Sequence, residues 1–335
     1  MNNVLVLAEL NGNDLDNGVF ELLFLLNSLD ISDDEITVGV FGDDLQDKDG
    51  VLKQIPCSKI LAHSSIDTNN LNPNILSKLA TDMVENLQPN KILISKTNLG
   101  QDLAPRLAFK FGWGLVNDCL GIEKNENNDW TGIRPVFGGN FMSKINIKTQ
   151  TEIYCVRPKV FDPLTDKTIS PEIEYIDYKD DLKTKTKVIE RINEQSEGIR
   201  LEDADIVVAG GRGLGGPEPF DTLNEIADLL NAAVGASRAV CDAGWMDHSY
   251  QIGLTGKDIS PNLYLTVAIS GASQHMAGCG NSKNIVSIDK NAEANIFNDA
   301  AFGAVGDWKN ILPGFLDTLK AVSYTHLTLP TSDLV

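Results

Sequence analysis

Short apolar runs alternate with longer amphipathic segments in the first third of the chain. Gly18–Ser28 and Asn74–Leu87 place apolar residues at helical spacing, and a third helix is predicted over Leu103–Phe111 after a loop, Thr97–Asp102. Strands are predicted over four aliphatic or β-branched runs, which are Val4–Leu10, Ile36–Phe41, Lys59–His63 and Lys91–Lys96. Strands that alternate with helices are typical of a parallel α/β sheet, so the pattern predicts a Rossmann-like N-terminal α/β domain.

The pattern changes between Thr131 and Tyr178, where strands are predicted without long helices. The added strands, expected to be antiparallel, are Arg134–Gly139, Phe141–Ile147, Ile153–Val160 and Ile173–Ile176. The charged stretch Asp177–Asp205 follows them and has the composition of a surface connection. We therefore expect an N-terminal scaffold domain over residues 1–195 and a C-terminal domain over residues 196–320.

An α/β pattern starts again after this boundary. The buried strand Ala204–Gly210 leads into a glycine-rich segment, Gly211–Gly216, and then into a helix predicted over Asp221–Ala233. Further strands are predicted over Ala239–Cys241, Tyr250–Leu254, Leu263–Ile269, Asn284–Ile288 and Ala304–Val305. The C-terminal half is therefore predicted to be a doubly wound parallel sheet.

Charge and composition exclude several classes of protein. The formal net charge is −19 and no basic patch is evident, so nucleic-acid binding is not expected. The longest apolar runs, such as Leu22–Leu26, are far below the roughly 20 residues that cross a bilayer, and the N-terminus lacks a basic targeting region. A cytoplasmic protein without a membrane span is expected. The five cysteines form no CxxC pair, which predicts buried free thiols and no metal site.

Gly211–Gly216 fits the GxGxxG spacing of dinucleotide-binding loops. A nicotinamide site requires a helix that begins inside this motif and an acidic residue after the next strand. Here Pro217-Glu218-Pro219 intervenes and that acidic residue is missing. Both departures argue against a standard nicotinamide site. A nicotinamide-dependent oxidoreductase that uses Gly211–Gly216 is kept as the enzymatic alternative.

Three more loops rich in small and polar residues follow predicted strands: Gly235–Arg238, Gly253–Lys257 and Ser270–His275. Because the carboxyl ends of parallel strands meet at one edge, we expect these loops and Gly211–Gly216 to form one ligand site. His275 and Cys279 have the i, i+4 spacing of a metal pair, but no further ligand lies nearby in sequence.

The order of these segments is informative. The series consists of Gly210–Gly215, Ala232–Ala239 with Asp242–Gly244, Gly253–Lys257 and Ile269–His275 in the second half, and Leu99–Arg106, Arg134–Asn140 and Val156–Pro158 in the first. It resembles the alpha subunit of electron transfer flavoproteins over residues 3–320. The resemblance implies one FAD in the C-terminal domain and a heterodimer with a beta subunit. Because the N-terminal domain has no phosphate loop such as GxxxxGK[ST], we expect it to be a scaffold that contacts the beta subunit, with its insertion, residues 131–178, carrying part of that interface.

The resemblance also implies the function and the site. The chain would be an electron carrier without a small-molecule substrate of its own, between flavin dehydrogenases such as acyl-CoA dehydrogenases of fatty acid β-oxidation and a quinone oxidoreductase or another acceptor. Arg238 would be the cation over the flavin ring, the Thr255 hydroxyl would reach N5, and His275 would lie near O2 and stabilise the anionic flavin. The implied FAD contacts are Arg212, Ser237, Arg238, Ile252, Gly253, Leu254, Thr255, Ser270, Gly271, Ala272, Ser273, Gln274, His275, Asp289, Asp307 and Trp308.

The sequence departs from the family at a few positions. Leu254 stands where the family usually has Gln, and Asp289 where many relatives have Asn. The lost polar side chain at Leu254 motivates another alternative, a structural paralogue that no longer binds flavin. Residues 321–335 have no family character and resemble a peptide translated from a sequencing adapter, so we expect a non-native or disordered tail there.

Overall fold

The structure is a computed structural model that describes residues 3–11, 14–42, 45–63, 73–137, 139, 141–165, 167, 169–176 and 199–327. The chain forms two compact units, the first within residues 1–136 and 141–193 and the second within residues 137–140 and 194–335.

The first unit contains an eight-stranded sheet and a separate three-stranded sheet. Its strands are β1 (Val4–Asn11), β2 (Asp14–Leu15), β3 (Ile36–Phe41), β4 (Lys59–His63), β5 (Lys91–Ser95), β6 (Gly114–Cys119), β7 (Gly121–Lys124), β8 (Trp130–Val136), β9 (Phe141–Asn146), β10 (Glu152–Val156) and β11 (Glu172–Ile176). The main sheet has the order β11-β4-β3-β1-β5-β10-β6 with parallel neighbours, and β2 pairs antiparallel with β1. Strands β7, β8 and β9 form the antiparallel sheet.

Helices cover both faces of the main sheet. They are α1 (Gly18–Ser28), α2 (Asp49–Leu52), α3 (Pro73–Leu87) and α4 (Asn98–Phe111). Leu22 and Leu26 of α1 pack in one buried cluster with Val6, whereas Met83 of α3 packs in another with Leu5. Successive side chains of a strand point to opposite faces, so β1 is buried on both sides and has a nearly continuous apolar sequence.

Several predicted elements of the first unit are confirmed, including the helix at Gly18–Ser28 and the first three strands. The loop predicted over Thr97–Asp102 is wrong, because α4 begins at Asn98. The Thr97 hydroxyl accepts a hydrogen bond from the backbone N–H of Gly100 at 2.9 Å and caps the helix at its start. Pro105 then lies within the helix.

The predicted antiparallel strands are only partly confirmed. Strands β8 and β9 are antiparallel, but β10 and β11 are parallel strands of the main sheet. β10 lies between β5 and β6, where both of its faces are covered, and this location depends on tertiary pairing that local sequence does not encode. β6 was not among the predicted strands.

The second unit is built on one six-stranded sheet. Its strands are β12 (Ile206–Gly210), β13 (Ala233–Ser237), β14 (Gln251–Ile252), β15 (Leu263–Val267), β16 (Ile285–Asp289) and β17 (Phe302–Val305). Its helices are α5 (Pro219–Leu230), α6 (Arg238–Asp242), α7 (Ser273–Cys279) and α8 (Trp308–Leu327). The order is β14-β13-β12-β15-β16-β17 and every neighbouring pair is parallel, which confirms the predicted parallel sheet.

Two elements of the second unit differ from their predictions. Helix α5 ends at Leu230, because Asn231 takes a left-handed conformation with φ 50° that stops the helix. The chain then forms β13, which ends at Ser237. The strand predicted at Ala239–Cys241 is wrong, because that segment lies in α6.

The end of the chain continues as helix. Helix α8 extends to Leu327, into the predicted tail, and Ala321 and Val322 are exposed on it. Residues 328–335 lie outside the described residues. The origin of the tail stays a prediction.

The buried thiols were predicted correctly, since all five cysteines are free and buried. Burial raises the pKa of Cys57 and Cys155 to about 12, so neither is a thiolate at neutral pH. In the described part of the chain, three or more His, Cys, Asp or Glu side chains do not gather as a metal site requires. Among the same residues, none of the helices combines the length and apolar character of a membrane span.

Glu21 of α1 gives the first unit a pH-dependent stability. The residue is 6% exposed, and its Oε2 accepts a hydrogen bond from the backbone N–H of Lys159 at 2.6 Å. Burial raises the pKa of Glu21 from 4.5 to about 7, and burial has the same effect on Glu9. The folded state therefore binds more protons than the unfolded state between these values, so stability is lost as the pH rises through this window. We expect a loss on the order of 3 kcal/mol from Glu21.

The variant Glu21→Gln tests this dependence. It carries no proton to lose, so the free energy of unfolding from urea titrations at about pH 5 and about pH 8 should differ by roughly half as much as in the wild type, with Glu9 supplying the rest. Glu126→Gln, which changes an exposed carboxyl of the β7–β8 connection, is the control and should leave the wild-type pH dependence. An unchanged pH dependence in Glu21→Gln would contradict the assignment.

Candidate functional site

The parallel sheet of the second unit brings the predicted ligand residues to one edge, since all of its strands end there. Arg212 follows β12, Ser237 and Arg238 stand between β13 and α6, Ile252–Thr255 end and follow β14, Ser270–His275 follow β15, Asp289 ends β16, and Asp307 and Trp308 follow β17. The carboxyl edge is therefore lined by loops from every strand of the sheet.

The glycine-rich segment after β12 packs closely on the neighbouring loop. Gly211 donates its N–H to the carbonyl of Val267 at 2.8 Å, and a Cβ at Gly211 would lie 1.9 Å from the carbonyl oxygen of Ala268. Only glycine allows this approach. A 3₁₀ turn occupies Arg212–Leu214, and α5 starts only at Pro219. The helix therefore does not begin inside the motif, contrary to what a nicotinamide site requires.

The loops after β14 and β15 are held against each other. The N–H of Leu254 donates to the carbonyl of Gln274 at 2.7 Å. Gly253 has φ 138°, and a Cβ there would lie 2.8 Å from that same carbonyl oxygen. On the other side, a Cβ at Gly278 would lie 2.6 Å from the Cα of Gly253. Two glycines thus let the Gly253–Lys257 loop lie directly on α7.

Gln251 orients the hydroxyl of Thr255. Its side chain is buried, and Nε2 donates to Thr255 Oγ1 at 2.9 Å while Oε1 contacts Nδ1 of His248 at 3.2 Å. Because Thr255 accepts this hydrogen bond, its own proton is available to a ligand. Gln251 was not among the residues predicted from the sequence, where only its place two residues before the Gly253–Lys257 loop distinguishes it.

His275 is buried inside the second unit, with 7% exposure. Nδ1 lies 3.1 Å from the carbonyl of Ile252, and Nε2 lies 2.7 Å from the hydroxyl of Tyr264. Burial lowers the pKa of His275 to about 4, so the ring is neutral at neutral pH. Tyr264 is the second residue that sequence reasoning missed, because nothing in a strand pattern distinguishes a partnered tyrosine from a packed one.

Known proteins resemble this chain over nearly its whole length. It is 37% identical over 326 residues to the electron transfer flavoprotein subunit alpha of Megasphaera elsdenii, across 95% of this chain and 96% of that protein. The corresponding subunit of Bacillus subtilis is 35% identical over 324 residues, across 96% and 98%. Residues 4–195 match the family model described as electron transfer flavoprotein domain. The chain belongs to the electron transfer flavoprotein alpha-subunit family. This confirms the family predicted from the order of the loops.

FAD is the cofactor of this alpha subunit, because residues 200–280 match the model described as electron transfer flavoprotein FAD-binding domain. That range includes the glycine segment after β12 and the loops that follow β13, β14 and β15. A third relative, 34% identical over 84% of this chain and 68% of its own length, is named lactate dehydrogenase (NAD(+),ferredoxin) subunit LctC of Acetobacterium woodii. Relatives of the alpha subunit therefore carry different functional names.

The groups at the carboxyl edge fit a flavin dinucleotide. Arg212 and Arg238 are exposed, and a guanidinium group suits a diphosphate. Arg238 Nε lies 3.3 Å from a carboxylate oxygen of Asp242, with its side chain 66% exposed. Such a surface pair is weak, so the guanidinium is free to turn toward an anionic ligand. Gly253 itself is buried against α7, whereas Leu254, Thr255 and Gly256 after it are exposed.

The remaining predicted contacts lie at the ends of β16 and β17. Asp289 Oδ1 accepts the N–H of Asn291 at 2.8 Å, and Asp307 Oδ1 accepts the N–H of Lys309 at 3.0 Å. Each carboxylate thus shapes its own turn. The indole N–H of Trp308 donates to the carbonyl of Gly213 at 3.3 Å and connects the turn after β17 with the glycine segment. Leu254 is 58% exposed, so the apolar substitution faces outward from the loop.

Proposed function

We propose that this alpha subunit pairs with a beta subunit, holds FAD at the carboxyl edge of its second unit, and carries electrons from flavin dehydrogenases to a quinone oxidoreductase or another acceptor. Acyl-CoA dehydrogenases are the proposed donors. The observation that supports the proposal is the convergence of loops from every strand of the parallel sheet on one edge, with two exposed arginines and a proton-donating threonine. Bound FAD supplies the electron-transfer chemistry, and the protein supplies binding, orientation and charge.

The residues implied by the family resemblance are the proposed FAD contacts. Thr255 presents its hydroxyl proton because Gln251 occupies its oxygen. The guanidinium of Arg238 brings the positive charge that favours the reduced, more anionic flavin. His275 has no N–H left for a ligand in the described geometry, since Nδ1 faces a carbonyl and Nε2 faces a hydroxyl. We therefore propose that the charge at the flavin comes from Arg238 and not from His275.

The first test is the cofactor of the purified heterodimer. We expect the chain co-expressed with its beta subunit to retain FAD with its yellow absorbance, and to be reduced by an acyl-CoA dehydrogenase with its acyl-CoA substrate. A lactate dehydrogenase of the kind named for the Acetobacterium woodii relative should be assayed in parallel. A colourless complex would support the flavin-free paralogue, and bound NAD without flavin would support the oxidoreductase.

Replacement of Arg238 should shift the redox potential of the bound FAD. A unit charge at about 4 Å in an effective dielectric near 20 is worth about 4 kcal/mol, and at about 2.3 kcal/mol per 100 mV its removal corresponds to on the order of 100 mV. We expect Arg238→Gln to lower the midpoint potential by up to this amount, with solvent screening reducing the effect. The measurement is a spectroscopic redox titration of the FAD-loaded heterodimer.

Arg200→Gln is a matched control for this titration. Arg200 is also exposed and also pairs locally, with Asp203 at 3.6 Å and side-chain exposures of 67% and 65%. It precedes β12, so it lies at the opposite end of that strand from the proposed site. The midpoint potential of FAD in the Arg200→Gln heterodimer should equal that of the wild type. Equal shifts in both variants would show a general charge effect and would refute the special role of Arg238.

A further inference from the structure

The side chain of His275 connects three elements of the second unit. It projects from α7, contacts the carbonyl of Ile252 at the end of β14, and contacts the hydroxyl of Tyr264 on β15. Tyr264 is fully buried and its ring stacks near the imidazole with centroids 6.1 Å apart. The contacts form a chain that runs from the Tyr264 hydroxyl through the imidazole to the backbone in front of Gly253.

The direction of these hydrogen bonds follows from the partners. A carbonyl oxygen only accepts, so Nδ1 of His275 must carry the proton that is shared with Ile252. A neutral imidazole has one N–H, so Nε2 accepts and the Tyr264 hydroxyl donates at 2.7 Å.

The surroundings keep this arrangement uncharged. Burial raises the pKa of both Tyr264 and Cys279, so the hydroxyl and the thiol stay protonated. The Cys279 thiol contacts the backbone carbonyl of His275 at 3.3 Å and also interacts with the Tyr264 hydroxyl, and as a neutral thiol it brings no charge to the imidazole. No charged group in the described contacts of the imidazole competes for its proton.

We propose that Tyr264 is a positioning residue that holds the imidazole of His275 with its Nδ1 proton directed at Ile252 and thereby anchors the flavin loop Gly253–Lys257 to α7. The anchor consists of two hydrogen bonds on consecutive stretches of backbone, from His275 Nδ1 to Ile252 and from the Leu254 N–H to Gln274 at 2.7 Å. Thr255 is the next residue, so its hydroxyl is positioned by this anchor. The consequence for FAD depends on the proposed function, whereas the hydrogen-bond chain does not.

The tautomer of His275 is the direct test. The chain has four histidines, so a heterodimer in which only this chain carries ¹⁵N-labelled histidine gives few ring signals, and the signal absent in His275→Gln is assigned to His275. In the wild type we expect a protonated Nδ1, an unprotonated Nε2 and no titration between about pH 5 and about pH 8. A proton on Nε2, or titration in this range, overturns the proposal without any Tyr264 variant.

Tyr264→Phe then removes only the donating hydroxyl. The proton should stay on Nδ1, the Nε2 resonance of His275 should move to the value of an unprotonated nitrogen without a hydrogen-bond donor, and amide hydrogen exchange at Leu254 should become about fivefold faster, the equivalent of one ordinary hydrogen bond. Thr266→Val is the control, because Thr266 is also buried on β15 and its hydroxyl bonds Ser287 Oγ at 2.9 Å. The Thr266→Val variant loses a buried hydroxyl that does not contact His275. The His275 ring signals and the amide exchange at Leu254 should therefore stay at wild-type values. If Tyr264→Phe also leaves both unchanged, Tyr264 only packs and the proposal is wrong.

The affinity for FAD separates this proposal from the proposed function. We expect FAD to bind about fivefold more weakly to the Tyr264→Phe heterodimer and equally well to Thr266→Val. A wild-type complex that binds no FAD but shows the Nδ1–H tautomer would refute the function and keep the hydrogen-bond chain. A wild-type complex that binds FAD but carries the proton on Nε2 would refute the hydrogen-bond chain and keep the function.

Discussion

Gly271→Ala is expected to lower the free energy of unfolding by about 3 kcal/mol or more and to abolish retention of FAD, because overpacking adds to the strain of a left-handed residue. Gly271 has φ 75° in the loop after β15, and a Cβ there would lie 2.3 Å from the backbone nitrogen of Ile296. Backbone cannot rotate away as a side chain does. The loop Ser270–His275 would therefore have to move, together with the start of α7.

Gly244→Ala isolates the clash from the backbone strain. Gly244 has nearly the same conformation, with φ 73°, but a Cβ there meets nothing within 4 Å. It should cost only about 1 kcal/mol and leave FAD bound. Urea titrations with the flavin absorbance recorded in parallel measure both quantities. Equal losses in the two variants would mean that the left-handed conformation alone, and not the contact with Ile296, determines the result.

The parallel sheets were predictable because their signal is local. Val4–Ala8 and Ile206–Gly210 are apolar without alternation, as strands covered on both faces must be. The position of β10 was not predictable in the same way. Glu152–Val156 has the composition of any buried strand, and only its pairing with β5 and β6 makes it parallel. The strand predicted at Ala239–Cys241 is wrong because the predicted helix before it runs too far, to Ala233. Asn231 is only a weak helix stop in sequence, but it ends α5 and lets β13 form in its place.

The candidate site shows the same division. Gly253 and Gly271 were identifiable as loop glycines after strands, and both have positive φ in the structure. Gln251 and Tyr264 were not identifiable, since their function depends on partners, Thr255 and His275, that become neighbours only in the folded unit. The expected position of His275 beside the flavin followed from a resemblance. Its hydrogen bonds to Ile252 and Tyr264 are visible only in three dimensions.

Arg157→Met is expected to destabilise the first unit by about 3 kcal/mol at neutral pH, the effect of breaking a buried ion pair. Arg157 follows β10 and is 8% exposed. Its Nε and one terminal nitrogen bind the two carboxylate oxygens of Asp118 on β6, at 2.9 and 2.7 Å. Lys96, after β5, binds the same carboxylate at 2.8 Å. The three residues thus tie together the ends of adjacent strands, and in the variant Asp118 keeps only Lys96.

The pH dependence of this loss identifies its cause. Burial alone would raise the pKa of Asp118, but its bonds and attraction to Arg157 and Lys96 outweigh burial and lower that pKa. A lowered carboxyl pKa gives stability that is present above the unfolded value of about 3.9 and is lost as the pH falls through the folded value. The difference in the free energy of unfolding between the wild type and Arg157→Met should therefore shrink below about pH 4.

Arg106→Met, which breaks the exposed pair with Asp102 at 3.2 Å, is the control. It should cost less than about 1 kcal/mol. If the free energy of unfolding of Arg157→Met stays below the wild-type value by the same amount at acidic pH, the lost packing of the arginine stem, and not its charge, destabilises the variant.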